Sequence, residues 1–79
     1  MDKHKLELFY FDQCPYCQLV LNHIHTHQSP VTLCNTQTNP KNRARLNAVG
    51  GKTQVPCLFI DGQPLYESQD IINWLITHA

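Results

Sequence analysis

Two thiols separated by two residues, in Cys14-Pro15-Tyr16-Cys17, are the side chains in this sequence best suited to covalent chemistry. A Cys-x-x-Cys pair either holds a metal or closes a small disulfide. A structural zinc site asks for a second pair at similar spacing. Here Cys34 and Cys57 stand far apart, and neither has another ligand at knuckle spacing. Redox chemistry is therefore the stronger reading. Pro15 suits the first turn of a helix, where its missing N–H costs nothing. A helix start offers unpaired backbone N–H groups and the positive end of the dipole near Cys14. Both favour a thiolate, and cysteines so placed generally titrate below an ordinary thiol. Cys14, nearer the helix start and expected to be the more exposed, is the candidate nucleophile. Cys17, one turn inside, is the candidate resolving thiol.

Other reactive side chains carry weaker readings. His23, His25 and His27 alternate along the same helix, and His23 and His27 share a face. No carboxylate or cysteine completes a ligand set beside them, so they read as solvated surface histidines. Cys34 and Cys57 read as small apolar residues packed in strands, and Trp74 as a core residue.

The pair must be positioned by the elements around it. Leu6 to Phe11 is an apolar run with one charge, Glu7, and suits a largely buried strand. Cys17, Val20, Leu21 and Ile24 make one apolar helical face after Pro15. Ser29-Pro30 ends that helix. Val31 to Leu33 or Cys34 reads as a second strand. Asn39-Pro40 caps a helix over 40–49 that stops at Gly50-Gly51. Cys57 to Ile60 is a third strand, Asp61-Gly62 a hairpin turn, and Gln63 to Tyr66 the returning strand. Ser68 caps a last helix whose Ile71, Ile72, Leu75 and Ile76 face the core. The order β-α-β-α-β-β-α implies an α/β fold. It combines a right-handed parallel unit with an antiparallel hairpin in one mixed four-stranded sheet, with helices on its faces.

With 79 residues, the chain has room for one domain over 1–79. Lys plus Arg number 6 and Asp plus Glu 6, so nothing suggests a surface for nucleic acid or anionic lipid. No run reaches the length of a membrane span, and the N-terminus lacks the apolar core of a signal peptide. The expected location is the cytoplasm, where a close cysteine pair more often means catalysis or metal than a structural bridge.

Cys14-Pro15-Tyr16-Cys17, then Gln54-Val55-Pro56, then Asp61-Gly62, in this element order, resembles a dithiol glutaredoxin of the thioredoxin fold. The likeness covers essentially the whole chain. It implies a glutathione-dependent thiol–disulfide oxidoreductase with Cys14 as nucleophile and Cys17 as resolving thiol. Pro56 matches the family's cis-proline that faces the cysteines. The Val55 backbone would pair with glutathione like an added strand, and Tyr16 would line the cleft. Glu67-Ser68 is similar to the Glu-Ser step opening the last helix in glutathione-transferase N-terminal domains. The Ser68 hydroxyl and the helix N-terminus would hold the γ-glutamyl carboxylate. Glu67, ahead of Asp70, would take its ammonium.

The resemblance implies glutathione as co-substrate and no permanently bound cofactor or metal. Its partners would be disulfide-containing or glutathionylated proteins, with the chain acting as a monomer. One position departs from the pattern. Many glutaredoxins carry a lysine three residues before the first cysteine, where this chain has Phe11. Arg43, Arg45 and Lys52, or neutral Gln37 and Gln54, are the candidates to hold the glycyl carboxylate instead. Three rivals stand beside this reading. One is a [2Fe–2S] carrier bridging two chains through Cys14 and glutathione, which Pro15 disfavours. The others are a glutathione transferase or peroxidase and a thioredoxin-like electron donor.

Overall fold

Alternation in Leu6–Tyr10 decides how the first strand, β1, is used. Leu6 and Leu8 point to one side, Glu7 and Phe9 to the other, and all four are buried. Such a strand must be central and covered on both faces. In the computed structural model, which describes residues 4–78, that is where it lies. The sheet order is β2-β1-β3-β4, with β2 at Thr32–Asn35, β3 at Cys57–Ile60 and β4 at Gln63–Tyr66. β1 runs parallel to β2 and antiparallel to β3, and β4 returns antiparallel to β3. Residues 1–3 and 79 of the expected single domain lie outside the described residues.

Three helices complete the order, α1 at Pro15–His27, α2 at Pro40–Gly50 and α3 at Ser68–His78. Val20 and Ile24 of α1 and Ile71 and Leu75 of α3 pack on Leu6, Leu8 and Leu58. Leu46 of α2 covers the opposite face with Phe9, Cys34, Cys57 and Phe59. This is the β-α-β-α-β-β-α thioredoxin-like architecture expected from the sequence. Cys34 and Cys57 pack in this second core, and Trp74 is half-buried against the first.

Several boundaries differ from the sequence reading for local reasons. Val31 stays out of β2 because its N–H bonds to the Ser29 carbonyl at 2.9 Å, so the strand begins at Thr32. α1 ends before Ser29-Pro30, because Gln28 turns left-handed at φ 51° and the Ser29 N–H reaches back to the Ile24 carbonyl, a Schellman closure. Ser68 does not cap α3 but is its first residue. Glu67, at φ 73°, stands before it and its carbonyl accepts the Ile71 N–H. Ile76 is 65% exposed instead of facing the core, since Ile71 and Leu75 already fill the helix contact. The Asp61-Gly62 turn is as expected, with φ of 51° and 86°.

The charge inside β1 has a partner that its own strand does not reveal. Glu7, 7% exposed, accepts two hydrogen bonds from the Arg45 guanidinium at 2.8 and 3.1 Å. The same guanidinium lies 5.4 and 5.8 Å from the ring centres of Phe9 and Phe59. The Arg45 hydrogen bonds hold the Glu7 carboxyl below its usual range.

Gly51, at φ 75°, closes α2 in the left-handed region, whereas Gly50 is needed for a different reason. A Cβ built on Gly50 would overlap the Tyr66 hydroxyl. That hydroxyl is buried; the Cys57 thiol lies near it, yet it makes no well-formed hydrogen bond. Gly50→Ala is therefore expected to cost about 1–3 kcal/mol through overpacking, read as a lowered midpoint in urea. Tyr66→Phe in the same background should recover part of that loss by removing the overlapping oxygen.

Candidate functional site

The loop from β1 to α1 delivers Cys14 as the N-cap of α1. Its N–H donates to the Phe11 carbonyl at 3.3 Å, and Gln18 Nε2 donates to the Asp12 carbonyl at 2.8 Å. Pro15 is the first helical residue and adds no orphan donor. In place of the usual capping oxygen, the Cys14 sulfur receives the Cys17 N–H at 3.4 Å. The first turn of the helix therefore aims a backbone donor at Cys14 Sγ. Cys14 is 7% exposed and Cys17 0%, so the order of exposure is as expected, but Cys14 too is largely covered. Burial and the Cys14 sulfur together push the Cys17 thiol up to about 12.

Antiparallel pairing sets Cys57 beside Phe9. Continuing that register brings Pro56 level with the end of β1 that leads into the cysteine loop. The Val55–Pro56 bond is cis, and Pro56 is buried. Beside it opens a cleft of about 410 Å³ walled by Tyr16, Gln54, Val55, Pro56, Glu67 and Ser68. All five residues named from sequence as glutathione contacts stand in this wall. Gln54 joins them, which places it at the Glu67 end, away from the other carboxylate candidates. Cys14 is not part of the wall but lies two residues from Tyr16. Tyr16 is 64% exposed. Asp70 is exposed in the first turn of α3 and does not line the cleft.

A second cleft, of about 490 Å³, is walled by Phe11, Thr36, Gln37, Pro40, Arg43 and Thr53. It gathers Phe11, Gln37 and Arg43, which the sequence reading considered only one by one. Two other cations are engaged elsewhere. Arg45 is held by Glu7, which removes it from the carboxylate candidates, and Lys52 Nζ lies 4.4 Å over the Tyr66 ring. Thr36 is buried, its hydroxyl donating to the Tyr10 carbonyl at 3.2 Å. Thr53 was not anticipated, and nothing in its sequence setting marks it.

The remaining reactive groups sit apart from these clefts. The His23 and His27 rings stack 4.1 Å apart on the surface of α1. Burial, then the charge on His27, lowers the pKa of His23. No group of three or more metal-ligating side chains forms among the described residues. Cys57 is fully buried, and desolvation pushes its thiol up to about 11. Among the described residues no helix is long and apolar enough to cross a membrane.

Comparison with known proteins adds a family. The glutathione S-transferase N-terminal domain family matches residues 8–79. No curated protein matches the sequence. Among solved structures, glutaredoxin 2 from Salmonella typhimurium in complex with glutathione is 27% identical with a TM-score of 0.75, covering 92% of this chain and 33% of its own. Glutathione transferase Omega 3C from Trametes versicolor is 21% identical, with a TM-score of 0.79 over 96% of this chain and 34% of its own. The chain thus spans about a third of the length of these two proteins. Holo glutaredoxin C1 from Populus tremula x tremuloides is 16% identical, with a TM-score of 0.69 over 92% of this chain and 75% of its own. The second and third likenesses are of fold.

Proposed function

The chain belongs to the glutathione S-transferase N-terminal domain family, and from that premise we propose that it is a glutathione-dependent thiol–disulfide oxidoreductase. The observation that carries this reading is the wall of Tyr16, Val55, Pro56, Glu67 and Ser68 beside a helix whose first turn holds two thiols. A transferase needs the cleft but gives the second thiol no task.

In the proposed cycle the Cys14 thiolate attacks one sulfur of a substrate disulfide. A Cys14–sulfur bond forms, the substrate S–S bond breaks, and the departing thiolate takes a proton from solvent. Cys17 then attacks Cys14 Sγ, expels the second substrate thiolate and gives up its proton to it. One glutathione thiolate attacks Cys14 Sγ and releases Cys17. A second attacks the glutathione sulfur and releases Cys14 with oxidised glutathione. Two electrons pass from two glutathione molecules to one disulfide. The N–H aimed at Cys14 Sγ supports its role as both nucleophile and leaving group. Cys17, kept neutral by burial, acts once the mixed disulfide has formed.

Glutathione would lie along the Val55 backbone as an added strand. Its γ-glutamyl end would meet Glu67 and Ser68 at the start of α3. Its glycyl carboxylate would reach Arg43 and Gln37 in the second cleft, where Phe11 replaces the family's lysine. Arg43→Ala is then expected to raise the KM for glutathione up to roughly fivefold, about 1 kcal/mol and the upper end for an exposed ion pair, with kcat little changed. The effect should shrink in high salt.

The experiment that tests the function is glutathione-dependent reduction of a small mixed disulfide, coupled to glutathione reductase and NADPH. Turnover supports the proposal. A folded protein with titratable thiols and no turnover overturns it. Conjugation of glutathione to an electrophilic aryl halide under the same conditions would favour the transferase reading instead.

A further inference from the structure

Gln54 and Glu67 meet in the wall of the smaller cleft, where Gln54 Nε2 donates to Glu67 Oε1 at 3.3 Å. Both residues come from segments whose backbones are fixed for other reasons. Gln54 precedes Val55 and the buried Pro56, which leads into β3. Glu67 joins β4 to α3 at φ 73°. That region is uncommon for a residue with a side chain. Its carbonyl accepts the first hydrogen bond of α3, from the Ile71 N–H. The backbone therefore fixes where the Glu67 side chain leaves the chain, and the Gln54 amide restrains its exposed carboxylate at one oxygen.

An ionised carboxylate accepts at two oxygens. Gln54 donates to Oε1, which leaves Oε2 to accept from a further donor. Because Gln54 is neutral, it orients the carboxylate without cancelling its charge. A lysine in its place would pair with Glu67 and compete with any ligand cation. Resting on the glutathione reading above, we propose that Gln54 is a positioning residue that aims Glu67 at the α-ammonium of the γ-glutamyl group. The cleft would thereby select thiols that carry this ammonium.

The test uses the full chain and two thiols. One is glutathione. The other is its glutaryl analogue, in which hydrogen replaces the α-amino group. Wild type, Gln54→Ala, Glu67→Ala and the double variant are compared in the coupled disulfide assay, with thermal melting to confirm folding. Glu67→Ala is expected to raise the KM for glutathione about tenfold, the scale of one hydrogen bond to a charged group. Gln54→Ala should raise it about threefold, with the loss in KM and not in kcat. The double variant should be no worse than Glu67→Ala alone. Both single variants should lower the preference for glutathione over the analogue. Additive losses in the double variant would overturn the proposal, as would an unchanged preference in Gln54→Ala. An active wild type in which Glu67→Ala changes nothing also overturns it but leaves disulfide reduction standing. A folded wild type that turns over with neither thiol removes the glutathione reading, and the proposal with it.

Discussion

Cys14→Ser is expected to lower glutathione-dependent reduction of a small mixed disulfide by about 10³-fold or more, the scale of losing a nucleophile. Cys17→Ser should keep most of that activity. The asymmetry follows from the first turn of α1. The Cys17 N–H points at Cys14 Sγ, while the Cys17 thiol is fully buried and pushed up to about 12. A serine hydroxyl at 14 neither ionises near neutral pH nor forms a mixed disulfide. A serine at 17 leaves the Cys14–glutathione bond open to a second glutathione, which suffices for a small substrate. A protein disulfide is different, because the second substrate thiol must be expelled from Cys14, and there Cys17→Ser should be impaired. The steady-state rate of each variant on both substrate types checks this. Activity retained by Cys14→Ser and lost by Cys17→Ser would reverse the assignment.

The largest effect on stability is expected at Arg45. Arg45→Met should destabilise the fold by about 3 kcal/mol, near the lower end for breaking a buried pair, because the Arg45 side chain is itself 47% exposed. The loss comes less from the missing attraction than from Glu7, left desolvated in a central strand. Acid should therefore narrow the gap between variant and wild type. In the wild type the Arg45 hydrogen bonds hold the Glu7 carboxyl below its usual range, so its contribution is fully present above the usual carboxylate range and fades as pH falls through the depressed native value. In Arg45→Met the unpaired carboxyl is relieved by taking a proton. Urea unfolding at neutral and acid pH measures both. Glu7→Leu with Arg45→Met should recover much of the loss. A double variant as unstable as Arg45→Met would show that the guanidinium matters through its place over Phe9 and Phe59 instead.

The element order and the first-turn position of the cysteines were legible because their causes are local. Pro15 after Cys14, Asn39 before Pro40 and the Asp61-Gly62 turn each fix a backbone conformation within a few residues. The cleft wall was legible only through resemblance, since Tyr16, Val55 and Glu67 come from separate segments. What was missed depends on contacts distant in sequence. The Glu7–Arg45 pair joins β1 to α2, and nothing near Arg45 separates it from Arg43, which lines the second cleft. Ser68 looked like a cap by residue type, but the left-handed turn at Glu67 moved the helix start by one residue. Gly50 looked like part of a stop, whereas its lack of a side chain makes room for Tyr66.

One of the two sulfurs caps α1 and the other lies in its first turn. A bond between them ties no strand to a helix and no helix to another. It closes a short loop, which costs the unfolded chain less freedom than a long one would. Under the proposed cycle, opening and closing that bond would leave the pairing of sheet and helices as it is. Whatever favours the Cys14 thiolate in the folded chain would then set both the potential and the difference in stability between the two redox forms.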